Sequence, residues 1–211
     1  MKHLSFRTLF GTAIAVAAAA CAESTGNGGG TPAGDLNFLE LAAGAPALCN
    51  DSAGAWFIKD SSGGADQEVA LTFPDNGSTC AGNTHDFLRL RIKGSSLQRL
   101  PDSTLIDSGD SVFIYVKWVG SDSILFDLQP TGLLFDPLDP AELRIEYDES
   151  GPDLNHDGHS DGEDDVIEQR LDIWRQEKPG DPFVRVGTAR SEANKEIEAK
   201  LNGFSRYAIA Y

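Results

Sequence analysis

The chain has 211 residues, with 17 basic against 33 acidic side chains, and its net charge of −16 repels nucleic acid and anionic lipid headgroups. Its hydrophobic content of 40%, spaced as separate Phe, Leu, Ile and Val positions, is enough for one buried core and not for two. These figures argue against a nucleic-acid partner and for one folded domain.

Residues 1–20 read as an export signal. Lys2 and Arg7 precede TLFGTAIAVAAAA, an apolar run too short and too alanine-rich for a stable membrane span. The run leads into Ala18-Ala19-Ala20-Cys21, where bacterial lipoproteins are cut before a cysteine that is then acylated. Ordinary signal cleavage near the same alanines, leaving Cys21 as a free thiol, is the competing reading. Lipidation is preferred because an odd cysteine is awkward in an oxidising compartment, and removing Cys21 leaves Cys49 and Cys80 as one pair. That bridge closes a loop of about thirty residues and contributes about 3–4 kcal/mol in the chain-entropy model. Residues 21–35 are rich in Gly, Ser and Thr without apolar periodicity and read as a flexible tether. By analogy with lipoproteins as a class, Ala22 after the cysteine favours the outer membrane of a Gram-negative host.

From Leu36 to Tyr211 short apolar-alternating segments stand between turn signals. AWFIKD (55–60), EVALTF (68–73), FLRLRI (87–92), VFIYVKWV (112–119), ILFDLQ (124–129), ELRIEY (142–147), RLDIWRQ (170–176), PFVRVG (182–187) and SRYAIAY (205–211) read as strands. KEIEAKL (195–201) is rich in helix formers, yet Ile197, Ala199 and Leu201 alternate with Glu196, Glu198 and Lys200, which predicts a strand. Strands of this length and spacing predict an all-β fold, an antiparallel β-sandwich over 36–211. The terminal Tyr211 invites comparison with outer-membrane barrels, but the strands are too short and too charged for a lipid-facing wall.

The order ILFDLQPTGLLFDPLDPAELRIEY (124–147) runs from a strand through the Gln129-Pro130-Thr131-Gly132 turn and a Phe135-Pro137 bend to a strand ending at Tyr147. With LDIWRQ and the closing GFSRYAIAY, it resembles the C-terminal part of ZU5-like β-sandwich domains of exported bacterial proteins. The resemblance covers about the last ninety residues and implies a sandwich used for contact or as a spacer, with no catalytic residues to carry over. The N-terminal half, with its cysteine pair, has no such match.

An acidic insertion, DLNHDGHSDGED (153–164), interrupts that pattern. Counted from Asp153, oxygen-bearing side chains fall at position 1 (Asp153), 3 (Asn155), 5 (Asp157), 9 (Asp161) and 12 (Asp164), with Gly158 at 6 and the His159 carbonyl at 7. Calcium takes six to eight oxygens at about 2.3–2.6 Å, so alternate side chains must point inward from a curled backbone, and a glycine permits the curl. Asp164 in place of Glu resembles dockerin loops more than sensor loops. Gly151 and Pro152 break the entering segment, so no incoming helix is expected and the ion is read as structural. Two other readings stand beside it: a solvated loop, and zinc or nickel held by His156 and His159.

Catalytic signals are sparse. There is no Gly-x-Ser-x-Gly elbow, phosphate loop or His-Glu-x-x-His, and His85 in NTHDF reads as a lone surface histidine. Asp107 with Asp110 is an example of the carboxylate pair a hydrolase would need, though such pairs on a strand-turn segment are usually solvated. The expectation is a non-enzyme: a lipid-anchored, calcium-stabilised sandwich with a binding or structural role at the cell envelope, facing an unknown protein or glycan. A carbohydrate-binding module, with Trp56, Trp118 and Trp174 as its stacking platform, is the first alternative, and a secreted hydrolase with an unrecognised carboxylate pair the second.

Overall fold

Alternation buries one side of most of the longer strands, as it does in the computed structural model, which describes residues 30–211. The strands are Ser52–Ile58 (β1), Gln67–Pro74 (β2), Thr84–Ile92 (β3), Leu97–Arg99 (β4), Ser111–Trp118 (β5), Leu125–Gln129 (β6), Leu134–Phe135 (β7), Ala141–Glu146 (β8), Asp172–Gln176 (β9), Phe183–Arg185 (β10), Thr188–Ser191 (β11), Glu196–Leu201 (β12) and Arg206–Ala210 (β13). They form a six-stranded sheet in the order β1-β5-β6-β13-β9-β10, a five-stranded sheet in the order β11-β12-β8-β3-β2, and the small pair β4-β7. The ladders are antiparallel, as in the expected sandwich.

The core lies between the two large sheets. Leu88, Leu90, Leu143, Ile145 and Ile197 from one face Phe57, Ile114, Val116, Phe126 and Ile173 from the other, all buried in one cluster. The rings of Phe87 and Phe126 meet edge to face across the layers, 5.0 Å apart. KEIEAKL is a strand, β12: Ile197, Ala199 and Leu201 are buried while Glu198 and Lys200 face solvent. On the outer side of the five-stranded sheet the charged alternates pair across strands, Arg144 with Glu196 at 2.8 Å and Arg91 with Glu142. These pairs keep that face polar; the more exposed Arg91–Glu142 pair adds little stability, and Glu196 is buried under the Arg144 side chain.

The signal segment 1–20, Cys21 and residues 21–29 of the expected tether lie outside the described residues. Residues 30–35 rest on the body. Thr31 exchanges both backbone hydrogen bonds with Phe183, at 2.8 Å each, and Leu36, Phe38 and Phe183 pack with Trp174, Ala208 and Ala210 on the outer side of the six-stranded sheet. Further on, Leu39 N–H donates to Ile209 and Ile124 N–H donates to Leu39, so this arm fills the gap where β6 and β13 part.

Cys49 and Cys80 are bonded, with Cα atoms 5.2 Å apart and a sequence separation of 31. The bridge ties the segment before β1 to the β2–β3 hairpin. Beside it, Cys49 N–H donates to Thr72, and the Asn50 side chain exchanges hydrogen bonds with Ala70 and Thr72, covering the open edge of β2. Replacing both cysteines with serine should lower the unfolding free energy by about 3–4 kcal/mol, read as a lower urea midpoint.

Candidate functional site

The acidic loop leaves β8 through a 3₁₀ turn, Asp148–Ser150, and runs into a helix, Gly162–Glu168 (α1), that the strand reading did not anticipate. Asp161 is the N-cap of α1. Its carboxylate accepts from Glu163 N–H while the Asp164 carboxylate reaches back to Asp161 N–H, a reciprocal capping box. The loop therefore joins a strand to a helix. Leu154 near its start, Ile167 in α1 and Leu171 just after it are buried in the main core and hold both ends down.

Within the loop the side chains fold onto the backbone. Asp153 accepts from Asp157 N–H at 3.2 Å and Gly158 N–H at 2.9 Å, Asn155 accepts from Asp157 N–H at 3.0 Å, and Asp157 accepts from His159 N–H at 2.8 Å. Gly158 makes the turn at φ 89°, where a side chain would be strained. Asp164 is 4% exposed and clasps the two ends together, accepting from Leu154 N–H at 2.7 Å, Asn155 N–H at 3.3 Å and Asp161 N–H at 2.9 Å. The Asp161 N–H above all, with those of Leu154 and Asn155, holds the Asp164 carboxyl below its ordinary value against the burial that opposes it. Asp153, Asn155, Asp157, His159, Asp161 and Asp164 thus share one curled segment. His156 and His159 are exposed on it.

Among the described residues, the group whose ligand atoms gather within 4.8 Å lies elsewhere: His85, Asp148 and Glu149. Its origin is a bulge. Leu71 pairs with Leu88 but Thr72 pairs with Asp86, so Phe87 is an extra residue in β3 and the parity of the strand reverses beyond it. Both Phe87 and Leu88 are buried, and His85 turns inward beside Phe73, with ring centroids 5.9 Å apart. Had the alternation from Leu88 continued, His85 would face solvent. Instead its Nδ1 lies 3.2 Å from an Asp75 oxygen, and its buried Nε2, without a hydrogen-bond partner, lies 3.7 Å from Asp148 and 3.6 Å from Glu149. Burial, and then the neighbouring Asp148 charge, push the Glu149 carboxyl up from its ordinary value, with His85 opposing. His85 is therefore no lone surface histidine. The adjacent apolar pair Phe87-Leu88, which breaks the alternation of the strand, is the sequence signal for it.

The three tryptophans do not share a face. Trp118 and Trp174 are half-buried, their indole N–H groups bonded to the carbonyls of Ser123 at 2.9 Å and Ala210 at 3.1 Å. Trp56 is 65% exposed on edge strand β1, and its ring meets that of Phe113, 46% exposed on β5, edge to face at 5.4 Å. Gly54 makes room for this pair, since a Cβ there would stand 2.6 Å from Phe113 Cζ. Asp107 and Asp110 are exposed turn residues, with Asp107 N–H donating to the Asp110 carboxylate at 2.9 Å.

Compared with known proteins, the chain matches no family model, no curated protein and no solved structure.

Replacing Asp164 with Ala removes the acceptor shared by both ends of the loop. The variant should show a lower thermal midpoint and faster hydrogen exchange at the Leu154 and Asp161 amides, with the strand amides of β8 unchanged; equal exchange at the two loop amides would show that Asp164 is no clasp.

Proposed function

We propose that this chain is an exported β-sandwich, anchored through a lipid on Cys21 as an outer-membrane lipoprotein, that binds calcium at Asp153–Asp164 and serves as a binding or structural module of the cell envelope. The observation that carries the calcium reading is the curl of the loop around Gly158, which turns the oxygens of Asp153, Asn155 and Asp157 onto one short segment. The carboxylates of Asp153 and Asp157, with those of Asp161, Asp164 and Asp165, repel one another, and a divalent cation reverses the sign of that interaction. The buried anchors Leu154 and Ile167 support a structural ion, because ordering the loop orders a connection between the two sheets. The resemblance of the last ninety or so residues to ZU5-like sandwiches belongs to the same reading and favours contact or spacing over catalysis.

A glycan partner is the second reading, favoured by the exposed Trp56–Phe113 pair on the outer side of β1 and β5. An exposed aromatic ring such as that of Trp56 can stack against the apolar face of a sugar ring. Tyr115 and Gln129, half-buried and paired across β5 and β6, add polar groups on the same side.

Thermal unfolding with calcium and with chelator tests the ion. At a hundredfold excess over its dissociation constant, calcium should add about 2.7 kcal/mol of stability, and Asp157→Ala should abolish the shift. A midpoint indifferent to millimolar calcium would leave the loop metal-free. For the anchor, Cys21→Ser should release the protein from the membrane fraction. Retention on insoluble polysaccharide that Trp56→Ala abolishes would select the glycan reading, and no retention by the parent would remove it.

A further inference from the structure

The geometry points to a second metal site, for zinc, formed by His85 Nε2, Asp148 and Glu149, with Asp75 as the positioning residue behind the imidazole. Nε2 is buried, has no hydrogen-bond partner and stands 3.7 and 3.6 Å from the two carboxylates. Those spacings are too long for a hydrogen bond. They are close to what a shared ion needs: zinc–nitrogen and zinc–oxygen bonds of about 2.0–2.2 Å set tetrahedral edges of roughly 3.3–3.6 Å.

The partner on the other ring nitrogen agrees. Asp75 lies 3.2 Å from Nδ1, and the neutral tautomer that donates Nδ1–H to this carboxylate is the one whose Nε2 lone pair is free to bind a metal. Asp75 is itself held at the end of β2, where its N–H donates to Asn83 at 3.0 Å. Glu149 is likewise fixed by its main chain, its carbonyl accepting from Ala42 N–H at 2.8 Å. Asp75 and Glu149 are thus placed by backbone bonds, and the Phe87 bulge places His85.

Charge selects the ion. A neutral imidazole and two carboxylates carry −2, which one divalent cation cancels. An imidazole ligand disfavours calcium and magnesium and suits zinc. The side chain of Asp148 is 46% exposed, so solvent can reach the three ligands, and a water would complete a tetrahedral zinc site there. The ion would pin the β2–β3 hairpin to the turn that opens the acidic loop, a connection that no backbone ladder makes.

The test uses the full chain, stripped of metal with chelator and titrated with zinc chloride against a chromogenic competitor near neutral pH. A single tight equivalent is expected. His85→Ala should abolish it, Glu149→Gln should weaken it, and Asp75→Asn should weaken it about 10–100-fold. His156→Gln, His159→Gln and Asp157→Ala should leave it unchanged, which separates this site from the acidic loop. Should His85→Ala fail to fold, the Glu149 and Asp75 variants carry the test. The calcium shift of the parent, abolished by Asp157→Ala, should persist in Glu149→Gln, so the two metal readings stand or fall separately. Absence of a tight equivalent, or one that survives His85→Ala, overturns the site. So does an imidazole that remains protonated well above neutral pH and excludes zinc, the signature of a plain ion pair with Asp75, Asp148 and Glu149.

Discussion

Two sheets can share one core only while their strands turn an apolar side inward and keep charge out of it, and β8 is where this constraint bears hardest. It lies at the centre of the five-stranded sheet, between β12 and β3, so its register fixes theirs. Ala141, Leu143 and Ile145 point inward and Glu142, Arg144 and Glu146 outward. A slip of one residue would exchange these sets and carry charge into the core. The cross-strand ion pairs on the outer side follow from that register; they do not create it.

Against such regularity, the single extra residue at Phe87 has an effect out of proportion to its size. It allows two adjacent apolar side chains to enter the core and, beyond them, turns His85 from the solvent side to the interior. The ring then meets the chain leaving β8, because the start of β3 and the end of β8 lie at the same end of the sheet. The histidine–carboxylate group is thus a product of sheet register, whereas the acidic loop is a product of local sequence. One is assembled from two stretches far apart along the chain, Asp75 with His85 and Asp148 with Glu149, and the other from twelve consecutive residues.

That difference explains what could be read in advance. Segments with clear alternation, such as FLRLRI, ELRIEY and even KEIEAKL, became β3, β8 and β12, because burial on one side outweighs the helix preference of Glu, Ala and Lys. Strands β4, β7 and β11 were not legible. Leu97–Arg99 and Leu134–Phe135 are too short to show a period, and Thr188–Ser191 has no apolar alternate and is defined by its pairing with β12. Helix α1 was hidden for another reason: Asp161 and Asp164 fit both a ligand spacing and a capping box, and the second use appears only once Val166 and Ile167 are seen to follow. The oxygen-rich spacing of the loop was plain from the residues themselves. His85 was misjudged because its neighbours are brought to it by pairing over long separations.

The way the described chain begins bears on how the molecule withstands being pulled. Thr31 is fastened to Phe183 by a reciprocal pair of backbone bonds, and Leu39 is sewn between Ile209 and Ile124 eight residues later. A tug from whatever precedes Gly30 therefore meets β10, an edge strand of only three residues, before it reaches β13 in the interior of the sheet. The bonds at Thr31 are few and peripheral, while those around Leu39 are backed by a fully buried side chain. Between the two, Asn37 and Tyr211 exchange backbone bonds, so a load would free Thr31 first and then meet the bonds of Asn37 and Leu39 together, while the sandwich stayed closed.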